Sequence, residues 1–421
     1  MKKILGLLKS QTGKDTVISL IGLAATAGIG FVYTVILARY LEPSSFGVYS
    51  SITALASIIY SVGDFGFTSA IINFLPKLKD RAQNVINTGL SFQFLVALGF
   101  FAIFAVASSV NQIIIPGSMR YHFILAGILV VNYLIFNLIQ SIFTSERRFW
   151  RISIGQILDS GIKIILVFIL LNSSKLSIAT AITANIISSI LAMLFTFGRR
   201  LIRVNYKIDK PIFSSMAVYA KWIAVSRVFT VMISKVDVLL LNILAGSFQA
   251  GIYSAANRVT LVFALLISSL NSVVNPRFSG FDTKEKVQRY IKKLFVFVAL
   301  FAILMLVMVI LAEPLITFVY GNKYDQAIPV FRALTFSMIP FLFSIVVTPP
   351  LLYSYGQSSL FAKVAASQVI AMVILEILLI PKIGVFAPAI ALGTTNAIAT
   401  IFLGIKLVYF LRKDPQQISI P

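Results

Sequence analysis

Runs of about 20 predominantly apolar residues recur from one end of the chain to the other, and they limit the possible folds more than any other feature. A helix of about 20 residues crosses the roughly 30 Å hydrocarbon core of a bilayer. Of the 421 residues, 58% are hydrophobic and only 12% are charged, whereas about 25% are charged in an ordinary soluble domain. Water-soluble folds cannot cover this much apolar surface. The sequence therefore predicts an all-α membrane protein.

Hydropathy predicts about twelve transmembrane helices joined by short connections, and no extramembrane domain. The first six predicted spans are 16–38, 46–72, 85–109, 121–144, 151–172 and 176–198. The second six are 212–241, 248–274, 291–312, 326–352, 360–381 and 385–410.

The basic residues predict the orientation of these spans. When the connections are assigned alternately to the two sides, 25 of the 36 bases fall on the side of the N-terminus and five on the other. This bias predicts a multi-pass protein of the cytoplasmic (inner or plasma) membrane with both termini in the cytoplasm. The basic N-terminal segment has no small-residue cleavage site, so we expect a retained cytoplasmic tail.

The formal net charge of +22 would also be compatible with nucleic-acid binding. However, its one-sided distribution is a topological signal and attracts anionic membrane lipid. We therefore expect membrane lipids, and no nucleic acid, among the partners.

The sequence lacks the residues and motifs that several kinds of chemistry require. The chain has no cysteine and a single histidine, His122, so no metal site is expected. It has no glycine-rich phosphate loop followed by Lys-Ser or Lys-Thr, which argues against ATP hydrolysis. We expect no cofactor, no catalytic residues and no enzymatic activity.

Two short stretches recur at nearly the same offset and predict an internal repeat. "FGVYSS" at 46–51 returns as "AGIYSA" at 250–255, and "SIATAITANIISSILA" at 177–192 resembles "AIALGTTNAIATIFLG" at 389–404. The second match aligns Asn185 with Asn396. Because six is an even number, six spans followed by six spans have the same orientation in the membrane.

A parallel repeat of this kind predicts two six-helix bundles that are related by a pseudo-two-fold axis along the membrane normal, with a substrate cleft between them. The polar segment 199–211 is the predicted boundary. It separates an N-terminal lobe, 1–205, from a C-terminal lobe, 206–421.

Three segments resemble the polysaccharide (O-antigen type) flippases of the multidrug/oligosaccharidyl-lipid/polysaccharide exporter superfamily. They are "ILARYLEPSSFGVYS" at 36–50, "GDFGFTSAIINFLPK" at 63–77 and "KVDVLLLNILAGSFQAGIYSAANRV" at 235–259. The resemblance covers nearly the whole chain and implies two six-helix bundles, alternating access and a polyprenyl-diphosphate-linked sugar as cargo. Relatives that flip the peptidoglycan precursor usually have fourteen spans, so twelve spans favour the polysaccharide branch.

The six bases that were assigned to neither side lie inside predicted spans, where a charge costs about 2.5–3.5 kcal/mol and usually faces a cavity or a partner. Arginine suits a diphosphate because its planar guanidinium binds two phosphate oxygens at once. We expect substrate binding by Arg227, Arg258, Lys235, Lys221 and Arg332, the last on a helix broken by Pro329 and Pro340.

Helical geometry does not bring all of these bases to one face. Lys221 and Lys235 are 14 residues apart and differ by about 40° around the helix, whereas Arg227 is rotated by about 120° from Lys221. In the alternative interpretation, Lys221 extends to the cytoplasmic interface and Lys235 pairs with Asp237.

The intramembrane acids have different predicted roles. Asp159 and Lys163 have the i, i+4 spacing and the order of a helical ion pair. Asp64 lies in "GDFGF" and could bind freed backbone groups, pair with a base of the other lobe or carry a coupling proton; we favour a structural or gating pair. Asp237 and Glu376 are candidates for coupling to H⁺ or Na⁺.

The expected function is translocation of a polyprenyl-diphosphate-linked oligosaccharide for polysaccharide biosynthesis, beside glycosyltransferases and a polymerase. One alternative is a cation-coupled multidrug exporter of the same superfamily, for which an acidic cavity would be more suitable. Another is a membrane-embedded polysaccharide polymerase or glycosyltransferase, which would need an acid-bearing loop outside the membrane.

Overall fold

The computed structural model of the chain describes residues 11–198, 205, 207–281 and 283–412, with side chains from residue 18 onward. Within these ranges the backbone forms helices and turns, and no strand. Most of the predicted N-terminal tail and most of the segment 199–206 lie outside the described residues. The lobe boundary at 205/206 remains a prediction.

The first half of the chain contains eight of the helices used below. They are α1 (Gln11–Tyr40), α2 (Pro43–Gly63), α3 (Phe67–Phe74), α4 (Ala82–Ala107), α5 (Arg120–Ser145), α6 (Phe149–Asn172), α7 (Ile178–Phe197) and α8 (Lys210–Ala245). The second half contains α9 (Ser247–Ser279), α10 (Lys284–Ile310), α11 (Ala312–Tyr320), α12 (Ala327–Pro349), α13 (Ser358–Ile383) and α14 (Ala387–Arg412).

In the described part of the chain, eleven stretches are long and apolar enough to cross a membrane. The last stretch, 358–412, contains both α13 and α14, so twelve helices have transmembrane length. This agrees with the hydropathy prediction. The helices form two compact units, one up to Leu239 and one from Leu240 onward.

The first unit is built around α5, which packs against α2, α3, α4 and α7. Its fully buried side chains Leu134 and Leu138 are four residues apart and therefore lie on one face of the helix. In the second unit α12 has the corresponding place and packs against α9, α10 and α14. Helix α5 is the fourth of the first six transmembrane helices, and α12 is the fourth of the second six when these are counted from α8, so the two helices have equivalent positions in the predicted repeat.

Two predicted spans differ from the structure. The span 46–72 is interrupted, since α2 ends at Gly63 and α3 begins at Phe67. The helix that carries Arg332 is not broken, because α12 continues through Pro340. The Thr400 hydroxyl of α14 donates to the Pro340 carbonyl at 3.0 Å, a bond that joins α12 to α14.

Candidate functional site

The turn between α2 and α3 places a carboxylate inside the first unit. Phe65 and Gly66 both have left-handed backbone conformations, with φ angles of 45° and 75°. Such angles end a helix, and only glycine adopts them without strain. The turn therefore breaks the transmembrane helix at the point where Asp64, only 1% exposed, faces the interior of the unit.

Asp64 binds the first turn of α3 through both of its carboxylate oxygens. The Thr68 amide donates to Oδ1 at 3.3 Å, and the Thr68 hydroxyl donates to Oδ2 at 2.9 Å. The Asp64 carbonyl accepts a bond from the Gln93 side chain at 2.9 Å. The bond from the Thr68 amide satisfies a backbone donor in the first turn of α3, and the Asp64 carbonyl also accepts a bond from the Phe67 amide at 2.8 Å.

The remaining partner of Asp64 is Arg227 of α8. Nη1 of Arg227 donates to Asp64 Oδ2 at 2.7 Å and also to the Thr68 hydroxyl. Its Nη2 donates to the Tyr60 hydroxyl at 3.2 Å, and the guanidinium lies over the Tyr60 ring. Arg227 was predicted to bind the diphosphate; in this structure its guanidinium is bound to Asp64, Thr68 and Tyr60.

Helix α8 comes close to this turn because of the residues that face it. A Cβ atom added to Gly66 would lie 2.6 Å from the carbonyl oxygen of Ala220. Ile212, Met216 and Ala220 are buried and spaced four residues apart, so they form one apolar stripe that packs into the core of the first unit. This packing brings α8 to the distance at which Arg227 reaches Asp64.

Next to the ion pair lies an apolar groove, which we call the α8 groove. It has a volume of about 480 Å³. Lys221 is its only charged lining residue among the described side chains, and the Lys221 amine lies 5.7 Å from the centre of the Trp222 ring. The aromatic lining consists of Phe65, Phe67, Phe92, Phe213 and Phe229.

The other predicted residues of the first unit lie further along α8. Lys235 is half-buried, and Asp237 is buried with 7% exposure. The Val238 amide donates to Asp237 Oδ1 at 2.8 Å. Their predicted roles in substrate binding and ion coupling remain predictions.

Three predicted site residues belong to the second unit. Arg258 is half-buried on α9. Arg332 is exposed, and its Nε donates to the Val309 carbonyl at 3.3 Å. Glu376 is 1% exposed on α13.

The ion pair expected from helical spacing is formed on α6. Lys163 Nζ lies 2.7 Å from Asp159 Oδ2. The Ser188 hydroxyl of α7 donates to the other carboxylate oxygen at 2.8 Å. The pair therefore has partners on two helices of the first unit.

Sequence reasoning used Asn185 only as a marker of the repeat and missed its contacts. Its amide nitrogen donates to the hydroxyls of Tyr33 at 2.9 Å and Tyr49 at 2.8 Å. In the second unit Asn396, its counterpart in the repeat, accepts a bond from Gln368 at 2.6 Å. An amide that recurs in both repeats was the signal that could have identified this buried polar cluster.

The sequence is similar to proteins of glycan biosynthesis. A family described as "Polysaccharide biosynthesis protein" matches residues 36–329. The "Probable low-salt glycan biosynthesis flippase" of Haloferax volcanii is 24% identical over 406 residues, which are 91% of this chain and 82% of that protein. The "Succinoglycan biosynthesis transport protein" of Rhizobium meliloti is 22% identical over 333 residues, 76% of this chain and 64% of that protein.

The fold is similar to that of a solved transporter. A structure described as "Lipid II flippase MurJ, inward closed conformation" has a TM-score of 0.74 and 16% sequence identity. The match covers 93% of this chain and 87% of that chain. At this level of identity the similarity shows the fold.

Proposed function

The chain belongs to the family of polysaccharide biosynthesis proteins, and we propose that it is a flippase that moves polyprenyl-diphosphate-linked oligosaccharide across the cytoplasmic membrane by alternating access. The relatives are named as a glycan biosynthesis flippase and a succinoglycan transport protein, which supports a lipid-linked glycan as the cargo. The product would be used in polysaccharide biosynthesis, beside glycosyltransferases and a polymerase.

The observation that carries this proposal is the position of Lys221 in the α8 groove. Its amine is exposed beside a lining that is otherwise apolar. A cation placed at such a surface favours a ligand with an anionic group attached to a hydrocarbon chain, because the apolar lining cannot solvate a free polar ion. A polyprenyl diphosphate has this combination of groups.

The length of the groove is suitable for a long hydrocarbon chain. Phe213 and Phe229 are 16 residues apart on α8, which corresponds to about 24 Å along the helix. This length exceeds the thickness of one leaflet, which is about half of the roughly 30 Å hydrocarbon core. The polyprenyl chain would lie along this surface and remain in contact with lipid.

We assign Arg227 a role that differs from the direct substrate binding expected from the sequence. About a third of the Arg227 side chain is exposed, so a diphosphate could approach the guanidinium from that side and compete with Asp64 for it. The Asp64–Arg227 pair would therefore act as a gate, closed as in this structure and opened when the diphosphate replaces the carboxylate. In such an exchange the guanidinium keeps an anionic partner, and the displaced Asp64 carboxylate keeps its bonds to Thr68.

The remaining predicted residues complete the proposal. Arg258 and Lys235 are half-buried cations that would contact the diphosphate at later stages. Asp237 and Glu376 are buried acids that could couple transport to H⁺ or Na⁺. Transport would run from the inner to the outer leaflet, with both termini in the cytoplasm.

The test uses the full chain in proteoliposomes with a fluorescent, short-chain polyprenyl-diphosphate oligosaccharide. We expect the fraction that is accessible to an impermeant quencher to rise above the protein-free level. Lys221→Gln should raise the substrate concentration needed for half-maximal flipping, whereas Lys382→Gln, which removes an exposed base at the end of α13, should not. Absence of flipping by the wild type, or a covalent change in the substrate, would overturn the proposal.

A further inference from the structure

The last two transmembrane helices place two lysines at the same height. Helices α13 and α14 pack against each other and are joined by the turn Gly384–Phe386, so they run in opposite directions. Lys363 lies 20 residues before the end of α13, and Lys406 lies 19 residues after the start of α14. At 1.5 Å per residue, both are about 30 Å from the turn, which is the thickness of the hydrocarbon core. The two lysine positions therefore lie at the membrane surface opposite the turn.

A groove runs between the two helices from this surface, and we call it the hairpin groove. It has a volume of about 540 Å³, and Lys363 is its only charged lining residue among the described side chains. The Lys406 amine lies 5.8 Å from the centre of the Phe402 ring, and Phe402 lines the groove. Both lysines are exposed, so both can bind a ligand at the mouth of the groove.

The chemistry of the lining changes with depth. Ser367 and Gln368 lie one turn below Lys363, and deeper positions carry small or apolar groups such as Ala371 and Ile398. A ligand that fits this order has an anionic group at the surface, polar atoms just below it and a hydrocarbon chain beneath. This is the order of groups in a phospholipid.

The depth of the groove indicates the length of that chain. Thr395, the lining residue of α14 nearest to the turn, is 11 residues from Lys406. This separation corresponds to about 16 Å, close to the half-thickness of a roughly 30 Å hydrocarbon core. The groove is therefore as deep as one leaflet, whereas a polyprenyl chain is longer than that.

We propose that the hairpin groove is a binding site for an anionic phospholipid. The phosphate lies between the amines of Lys363 and Lys406, and one acyl chain lies against Ala371 and Thr395. Basic pockets between transmembrane helices attract anionic head groups in this way. The site is separate from the α8 groove, and its occupant does not depend on the transported substrate.

The test uses the purified full chain in an uncharged detergent, with native mass spectrometry and lipid-dependent thermal unfolding as readouts. Phosphatidylglycerol should bind and raise the unfolding temperature more than phosphatidylcholine does. The variant Lys363→Gln/Lys406→Gln should bind phosphatidylglycerol roughly 30-fold more weakly, as expected for the loss of two lysines near an anionic head group. Its unfolding temperature without lipid should equal that of the wild type, because both side chains are exposed.

The matched control is Lys382→Gln, which removes the same charge at the other end of the same hairpin and should retain the preference for phosphatidylglycerol. An equal loss in this control would show general charge attraction and overturn the site. So would equal binding of phosphatidylcholine and phosphatidylglycerol by the wild type. A polyprenyl phosphate that binds more tightly than phosphatidylglycerol and loses affinity in the double variant would replace the phospholipid as the occupant.

Discussion

Arg227 lies 2.7 Å from Asp64, although 163 residues separate them in the sequence. The contact joins α8, at 36 residues the longest helix among those described, to the turn at which α2 and α3 are interrupted. Asp64 is almost completely buried, whereas a third of the Arg227 side chain is exposed. The pair can therefore be reached from the side of the arginine, as the gate that we propose requires.

Removal of either partner should destabilise the first unit. A buried ion that loses its partner typically costs 3–5 kcal/mol, and partial exposure of Arg227 places the expected loss for Asp64→Ala or Arg227→Ala at about 3 kcal/mol. The variant with both substitutions should lose about 1–3 kcal/mol less than the sum of the two. SDS-titrated unfolding of the purified protein measures these differences.

The control for these three variants is Arg332→Ala, because Arg332 is exposed and its guanidinium donates to a backbone carbonyl. We expect a loss within about 0.5 kcal/mol. If the double variant loses the full sum of the single losses, the two side chains do not stabilise each other.

The close approach of α8 to the turn should make Gly66 sensitive to any side chain. In Gly66→Ala the new Cβ atom would lie 2.6 Å from the Ala220 carbonyl oxygen, at a φ angle of 75°. The left-handed conformation alone costs about 1–2 kcal/mol. With the steric overlap, we expect a loss of more than about 2 kcal/mol in the free energy of unfolding.

Gly99→Ala is the matched control, since Gly99 is inside helix α4 and no atom lies within 4 Å of its added Cβ. It should gain about 0.5–1 kcal/mol from the higher helix propensity of alanine. Equal stability of Gly66→Ala and the wild type would show that α8 does not pack against the turn at this distance.

The part of the site that sequence could predict follows from local geometry. The i, i+4 spacing of Asp159 and Lys163 was sufficient to predict their ion pair, because a helix fixes the distance between such positions. The partner of Asp64 was not predictable in this way. Helical rotation placed Arg227 away from Lys221, but the element that it faces depends on how α8 packs, and no local pattern specifies that.

A similar limit applies to the break at Asp64. Hydropathy predicted one continuous span over 46–72 because the residues on both sides are apolar. Gly66 allows the interruption, but the turn with Phe65 at a φ angle of 45° is also stabilised by a tertiary bond, from Gln93 to the Asp64 carbonyl. The positions of the spans could thus be predicted from hydropathy. The interruption at Asp64 and its partner Arg227 depend on how the helices pack.

The polar cluster around Asn185 should contribute strongly to stability. Asn185→Ala removes the donor to Tyr33 and Tyr49, and each lost hydrogen bond costs about 0.5–1.5 kcal/mol; the two hydroxyls keep their contact with each other. We expect a loss of about 2 kcal/mol in SDS-titrated unfolding. Thr183→Ala on the same helix should lose less than about 0.5 kcal/mol, because the Thr183 hydroxyl donates to the Ala179 carbonyl of its own turn.

Part of that loss should be recovered when a hydroxyl is removed together with the amide. In Tyr33→Phe/Asn185→Ala the loss should be smaller than the sum of the two single losses, because each single variant already loses the bond between these two side chains. Additive losses would show that the two side chains contribute independently.

The Asp159–Lys163 pair should be structural rather than part of ion coupling. Lys163→Met leaves the Asp159 carboxylate in the membrane with the Ser188 hydroxyl as its remaining partner, so we expect a loss of about 3 kcal/mol. Asp159→Asn/Lys163→Met removes both charges and should recover most of that stability, since a buried ion pair is often replaceable by neutral residues. Flipping in proteoliposomes should continue in the double variant with an unchanged dependence on the imposed H⁺ or Na⁺ gradient. A stable double variant that has lost this dependence would instead assign the pair to coupling.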